Sequence, residues 1–90
     1  MPLLHIEPED LRFNAYRLMR MAEEIEWAIQ RLENAGQILQ AAWLSDGRMQ
    51  FQSELDVRLQ TLRQLSDQIK GQSARLQREA ARWEEISNRF

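Results

Sequence analysis

Trp43-Leu44-Ser45-Asp46-Gly47, with Phe51 shortly after it, is the one stretch of this chain that reads as a turn, and it lies near the midpoint of 90 residues. On either side runs a long segment without internal proline and with apolar residues at helical spacing. The pattern predicts an all-α fold: an antiparallel two-helix hairpin forming a single domain over residues 1–90. The first helix is expected over about 8–42, the turn over about 43–46 and the second helix over about 47–88.

Pro8 suits a first helical turn, and Glu7, Glu9 and Asp10 place negative charge at the positive end of the helix dipole. Beyond them Leu11, Ala15, Leu18, Ala22, Ile25, Ile29, Leu32, Gly36, Leu39 and Trp43 follow at alternating steps of four and three. This is a heptad pattern with large residues at one position and mostly small ones at the other. Met21, Ala28, Ala35 and Ala42 widen the apolar stripe. Gly36 costs about 1 kcal/mol relative to alanine in a helix, and it reads as a close-packing site within the helix.

In the second half Leu55, Leu62, Ile69, Leu76, Trp83 and Phe90 recur every seven residues. Leu59, Ser66, Ser73, Ala80 and Ser87 alternate with them, and Phe51, Leu65 and Ile86 flank the pattern. Serines in a buried seam are unfavourable unless each hydroxyl bonds back to the preceding turn; they imply a tight helix approach or a water-accessible surface. Ser45 or Asp46 is expected to cap the second helix.

Helices of this length span roughly 50–60 Å at about 1.5 Å per residue. Two of them alone have a high surface for their volume and would be marginally stable. Dimerisation into a four-helix bundle would bury both apolar stripes. The expected seam of hairpin and dimer consists of Leu11, Leu18, Ile25, Leu32 and Leu39 with Leu55, Leu62, Ile69 and Leu76.

The composition narrows the function. The chain carries 12 basic and 14 acidic residues, for a net charge of −2, which lacks the concentrated positive field of a nucleic-acid binder. Residues 1–43 carry 4 basic and 7 acidic side chains, and residues 44–90 carry 8 and 7. This asymmetry can orient two helices or two chains. Eleven of the basic residues are arginine, suited to bidentate contacts with carboxylates. No cysteine is present, so packing alone must hold the fold. The N-terminus lacks the basic n-region of a Sec leader, and no apolar run reaches the roughly 18 residues of a membrane span. The expectation is synthesis in the cytoplasm without a Sec signal, with any export by another route.

Catalysis finds no support in the residues, and neither a cofactor nor a metal is expected. The single histidine, His5, has no fixed partners among Glu7, Glu9 and Asp10 for a metal site. The acidic groups Glu23-Glu24-Glu26 and Glu84-Glu85 fall on outer faces with no pocket between them. Ser66 and Ser73 have no histidine base. Phe13, Tyr16 and Trp27 lie opposite the first seam, with Arg20 among them. They form either an outer-face contact for another protein or a packing surface for the second helix or the Leu3-Leu4-Ile6 segment. Trp43 either closes the hairpin core or meets a partner's helices.

These residues resemble the WXG family of small helical hairpins associated with type VII (ESAT-like) secretion. The resemblance spans nearly the whole chain and centres on the turn motif Trp43, Ser45, Gly47 and Phe51, in which serine stands where the family has glycine. It implies pairing as a homodimer or with a paralogous hairpin, export without a cleaved leader, and contact with a secretion ATPase or a larger client protein. The family's C-terminal signal, a tyrosine followed four residues later by an acid, is similar here to Trp83-Glu84-Glu85-Ile86-Ser87. Trp83, Ile86, Ser87 and Phe90 are therefore the candidate export or partner-contact residues. The alternative function is a cytoplasmic coiled-coil adaptor or chaperone scaffold unrelated to secretion. An amphipathic membrane binder fits less well, since the polar faces carry as much acid as base.

Overall fold

The structure, a computed structural model, describes residues 6–43 and 45–89. Helix α1 (Pro8–Ala42) and helix α2 (Arg48–Asn88) fold back on each other as an antiparallel hairpin measuring 69 × 20 × 17 Å. Pro8 occupies the first turn of α1, where its missing N–H removes no helical bond. Extended backbone at Glu7 and Trp43 bounds that helix.

The contact line between the helices is made of the smaller residues of the heptad. Ala15, Ala22, Ile29 and Gly36 are the buried residues of α1, and Leu59, Ser66, Ser73 and Ala80 those of α2. Each seven-residue step along α1 is matched by a seven-residue step back along α2. Ser73 Oγ donates to the Ala15 carbonyl at 2.7 Å, and Ser66 Oγ lies 3.4 Å from the Ala22 carbonyl. A serine reaches only two atoms beyond its Cα, so these bonds require closely approaching backbones. The two hydroxyls thus reach across to the facing helix and do not return to their own preceding turn. Ser87 is exposed. No buried side-chain N or O among the described residues lacks a hydrogen-bond partner, which removes the main penalty of a polar seam.

Gly36 shows how tight the approach becomes toward the bend. It lies within the helix, and a Cβ placed on it would meet Leu55 Cδ2 at 2.6 Å. The absence of a side chain lets Leu55 lie directly against the α1 backbone.

The larger residues lie to one side of this line. Leu11, Leu18 and Ile25 on α1, and Leu55, Leu62, Ile69, Leu76 and Trp83 on α2, are half-buried, while Leu32 and Leu39 are exposed. Overfilling the small-residue line should push the helices apart. Ala22→Leu is expected to destabilise the hairpin by about 1–3 kcal/mol, read as a lower urea midpoint at fixed chain concentration. Met21→Leu, at an exposed position beside it, should change the midpoint far less.

Candidate functional site: one apolar side and a sealed bend

The helical twist separates the two long sides of the hairpin chemically. One side carries the half-exposed large residues, broadened by Met21, Ala28, Phe51, Leu65 and Ile86. There Leu32, Leu55, Leu59 and Leu62 line a shallow groove edged by Arg58.

The opposite side carries ion pairs that join the helices. Arg12 pairs with Glu84, Lys70 with Glu26, and Arg63 with Glu33. Arg12 grips both carboxylate oxygens of Glu84, with Nη2 2.6 Å from Oε2. The residues fall at heptad intervals on both helices, so they follow the register set by the small-residue line. Glu26 also lies within reach of the buried serine row, with Oε1 3.2 Å from Ser66 Oγ. The acidic clusters are therefore divided among separate partners. Glu26 and Glu84 cross to the other helix, whereas Glu23 pairs with Arg20 and Glu85 with Arg89 within their own helices.

The bend is closed by aromatic contact. The rings of Trp43 and Phe51 lie 5.3 Å apart at 43°, a tilted aromatic arrangement. The Trp43 N–H extends the end of α1 by bonding to the Leu39 carbonyl at 2.8 Å. Its indole N–H donates to the Ser45 hydroxyl. The expected side-chain cap of α2 does not form. Gly47 precedes the helix with φ +97°, and no side chain caps it. This explains the serine in the family's glycine slot: among the described residues Gly47 alone has positive φ, so Ser45 needs no left-handed backbone.

Phe13, Tyr16 and Trp27 face away from α2, with 60%, 62% and 49% of their surfaces accessible. Arg17 lies over the Phe13 ring at 5.8 Å and Arg20 over the Trp27 ring at 5.6 Å. Exposure of this size leaves only a minor part of each side chain for packing against α2. At the open end Trp83 and Ile86 are half-buried and Ser87 is exposed. His5, Leu3, Leu4, Leu44 and Phe90 lie outside the described residues. Among the described residues no group of three metal-ligating side chains converges, and no helix is long and apolar enough to cross a membrane.

Two long antiparallel helices, a tryptophan-sealed bend and one apolar side form the kind of helical hairpin that the WXG resemblance implies. Over 100% of this chain and 99% of the other, the fold is similar to the crystal structure of a mutant form of the secreted protein EsxB from Bacillus anthracis str. Sterne, a WXG-type protein, with a TM-score of 0.85 and 26% identity. No family model and no curated protein matches the sequence.

Two consequences are measurable. Gly47→Ala should destabilise the hairpin by about 1–2 kcal/mol through backbone strain, because a Cβ there meets Trp43 Cζ2 at an ordinary 3.9 Å. Ser45→Gly should stay within about 1 kcal/mol of the parent, reflecting one lost hydrogen bond; urea titrations compare the two.

Hydrogen bonding to Lys70 lowers the Glu26 pKa from its ordinary value, and Arg12 does the same for Glu84. Their stabilising contribution is present above the ordinary carboxylate pKa and is lost as pH falls through the lowered values. The thermal midpoint should therefore drop between about pH 5 and pH 2. The acid limb should be shallower in Glu26→Gln/Glu84→Gln, and the difference small because the pairs are exposed.

Proposed function

We propose that this chain is a WXG-type secretion protein that acts by protein–protein recognition, pairing its apolar side with a second helical hairpin in a four-helix bundle. The observation that carries the reading is the sidedness of the large residues. Leu11, Leu18, Ile25, Leu55, Leu62, Ile69 and Leu76 are half-buried on one side, while the opposite side is occupied by interhelical ion pairs. A contiguous apolar side of this length marks an interaction surface, and its heptad spacing suits helices as the occupant.

The likeness to a secreted hairpin supports export of this chain through type VII secretion, as substrate or carrier subunit. The open end then presents Trp83, Ile86 and Ser87, with Phe90 beyond the described residues, to a secretion ATPase or a larger client. Trp43, Ser45, Gly47 and Phe51 hold the bend. Phe13, Tyr16 and Trp27 offer a separate outer contact whose exposure on α1 suits a protein partner. An adaptor that remains inside the cell is the second reading. It is favoured by Ser87, which stands where the WXG-type export signal carries an acid.

Two measurements test the proposal. Leu18→Asp with Ile25→Asp should abolish pairing in sedimentation equilibrium, and an unchanged mass would overturn the apolar side as the interface. In the native host, the protein should be enriched in the culture medium relative to a cytosolic marker, and Trp83→Ala should reduce that enrichment while the protein stays folded. Retention of the parent protein in the cytosol would favour the adaptor.

A further inference from the structure

Resting on the reading of the apolar side as a pairing face, we infer that its partner is a second copy of this chain, selected by a self-complementary row of charges on α1. Asp10, Arg17, Glu24 and Arg31 lie seven residues apart, and each immediately precedes a large apolar residue: Leu11, Leu18, Ile25 and Leu32. All four are exposed. The row runs along the outer edge of the apolar side, beyond Met21 and Ala28. Among the described residues none of the four makes an ion pair, although the helices are otherwise joined by Arg12–Glu84, Lys70–Glu26 and Arg63–Glu33. Arg17 only lies over the Phe13 ring. The interhelical ion pairs lie on the flank facing away from the apolar side, and among the described residues no charge on the flank that would border a partner makes an interhelical ion pair.

The order of signs matters. Laying α1 antiparallel on the α1 of a second copy, with Asp10 opposite Arg31, brings Arg17 opposite Glu24. The two-fold axis repeats both contacts, giving four opposite-charge pairs. A shift of one heptad in one direction places Arg17 on Arg17 and Asp10 on Glu24. A shift in the other direction places Glu24 on Glu24 and Arg17 on Arg31. Like charges therefore oppose the neighbouring registers.

The favoured register also leaves the apolar residues within a helical turn of alignment: Leu18 with Ile25, and Leu11 with Leu32, each lie two residues, about 3 Å, from level. Carried through the hairpin's own register, the same axis falls within a helical turn of one that pairs Leu55 with Trp83 and Leu62 with Leu76, with Ile69 at the centre. It also sets Glu54 near Arg82. The two hairpins would lie with their bends at opposite ends. A second copy satisfies this alternation by symmetry, whereas a paralogous hairpin would do so only if its own row carried the complementary signs.

The test uses three variants at exposed positions. Arg17→Glu sets a carboxylate against Glu24 twice in the homodimer, and Glu24→Arg sets a guanidinium against Arg17 twice. Each should raise the homodimer dissociation constant about tenfold or more. Mixing the two single variants restores opposite-charge contacts between the chains, so they should pair with each other in preference to themselves in native mass spectrometry. The double exchange Arg17→Glu/Glu24→Arg should recover self-association. That recovery separates the charge pairing from loss of the Arg17–Phe13 contact.

Single variants that dimerise as tightly as the parent, or a mixture without preference, would overturn the charge-selected register. So would a parent chain that stays monomeric. If the single variants have no effect while Leu18→Asp/Ile25→Asp dissociates the dimer, the apolar interface stands and only this inference falls. If that apolar double variant still dimerises, the interface reading falls with it.

Discussion

The close approach of two helix backbones along Ala15, Ala22, Ile29 and Gly36 determines most of what else this molecule does. Small residues on α1 and serines on α2 let Ser73 and Ser66 reach carbonyls of the facing helix. Those bonds fix the register within a heptad, because a smaller shift along the axis would bury each hydroxyl without its acceptor. An unsatisfied buried hydroxyl is more costly than a lost apolar contact of similar size is beneficial. The serine row therefore specifies alignment as well as filling space, and the interhelical ion pairs inherit that alignment.

A tight line of small residues cannot bury much apolar area. The large residues are consequently displaced to one side, where the hairpin alone covers them only in part. Close packing within the hairpin and exposure outside it are two results of one choice of residue size. A hairpin joined through its leucines would have buried those side chains and presented alanine and serine outward. It would have little to offer a partner helix. The charged side, with Arg12, Glu26, Glu33, Arg63, Lys70 and Glu84 paired across the helices, leaves the apolar side as the favourable contact surface.

Much of this was legible in the sequence. The unbroken heptads on both sides of residue 43 carry the helices, and Trp43 with Gly47 and Phe51 carries the bend. Two heptad series were visible, but periodicity does not say which faces the other helix, since both repeat every seven residues. The serines were the available signal: Ser66 and Ser73 belong where a backbone carbonyl lies within reach, hence on the close line. Their acceptors, Ala15 and Ala22, are separated from them by 58 and 44 positions, and only the register identifies them. The capping of α2 departs from the sequence expectation for a local reason. Ser45 and Asp46 are good capping residues by type, but Ser45 is engaged by the Trp43 indole, and the left-handed residue before the helix is Gly47.

The open end follows from the same geometry. Arg12 and Glu84 tie the early turns of α1 to the late turns of α2, and α2 remains helical to Asn88. Trp83 lies next to that ion pair in sequence and continues the large-residue series. On the proposed reading, a partner meeting Trp83 and Ile86 would therefore meet residues already ordered on a helix, and recognition would not have to include the entropy of ordering that segment. It would also meet them at the edge of the apolar side, where a second hairpin approaches. Pairing and recognition at the open end then become linked: covering the apolar side changes what remains accessible around Trp83. A hairpin that has found its partner would present a different end from one that has not, which allows assembly to be read before transport.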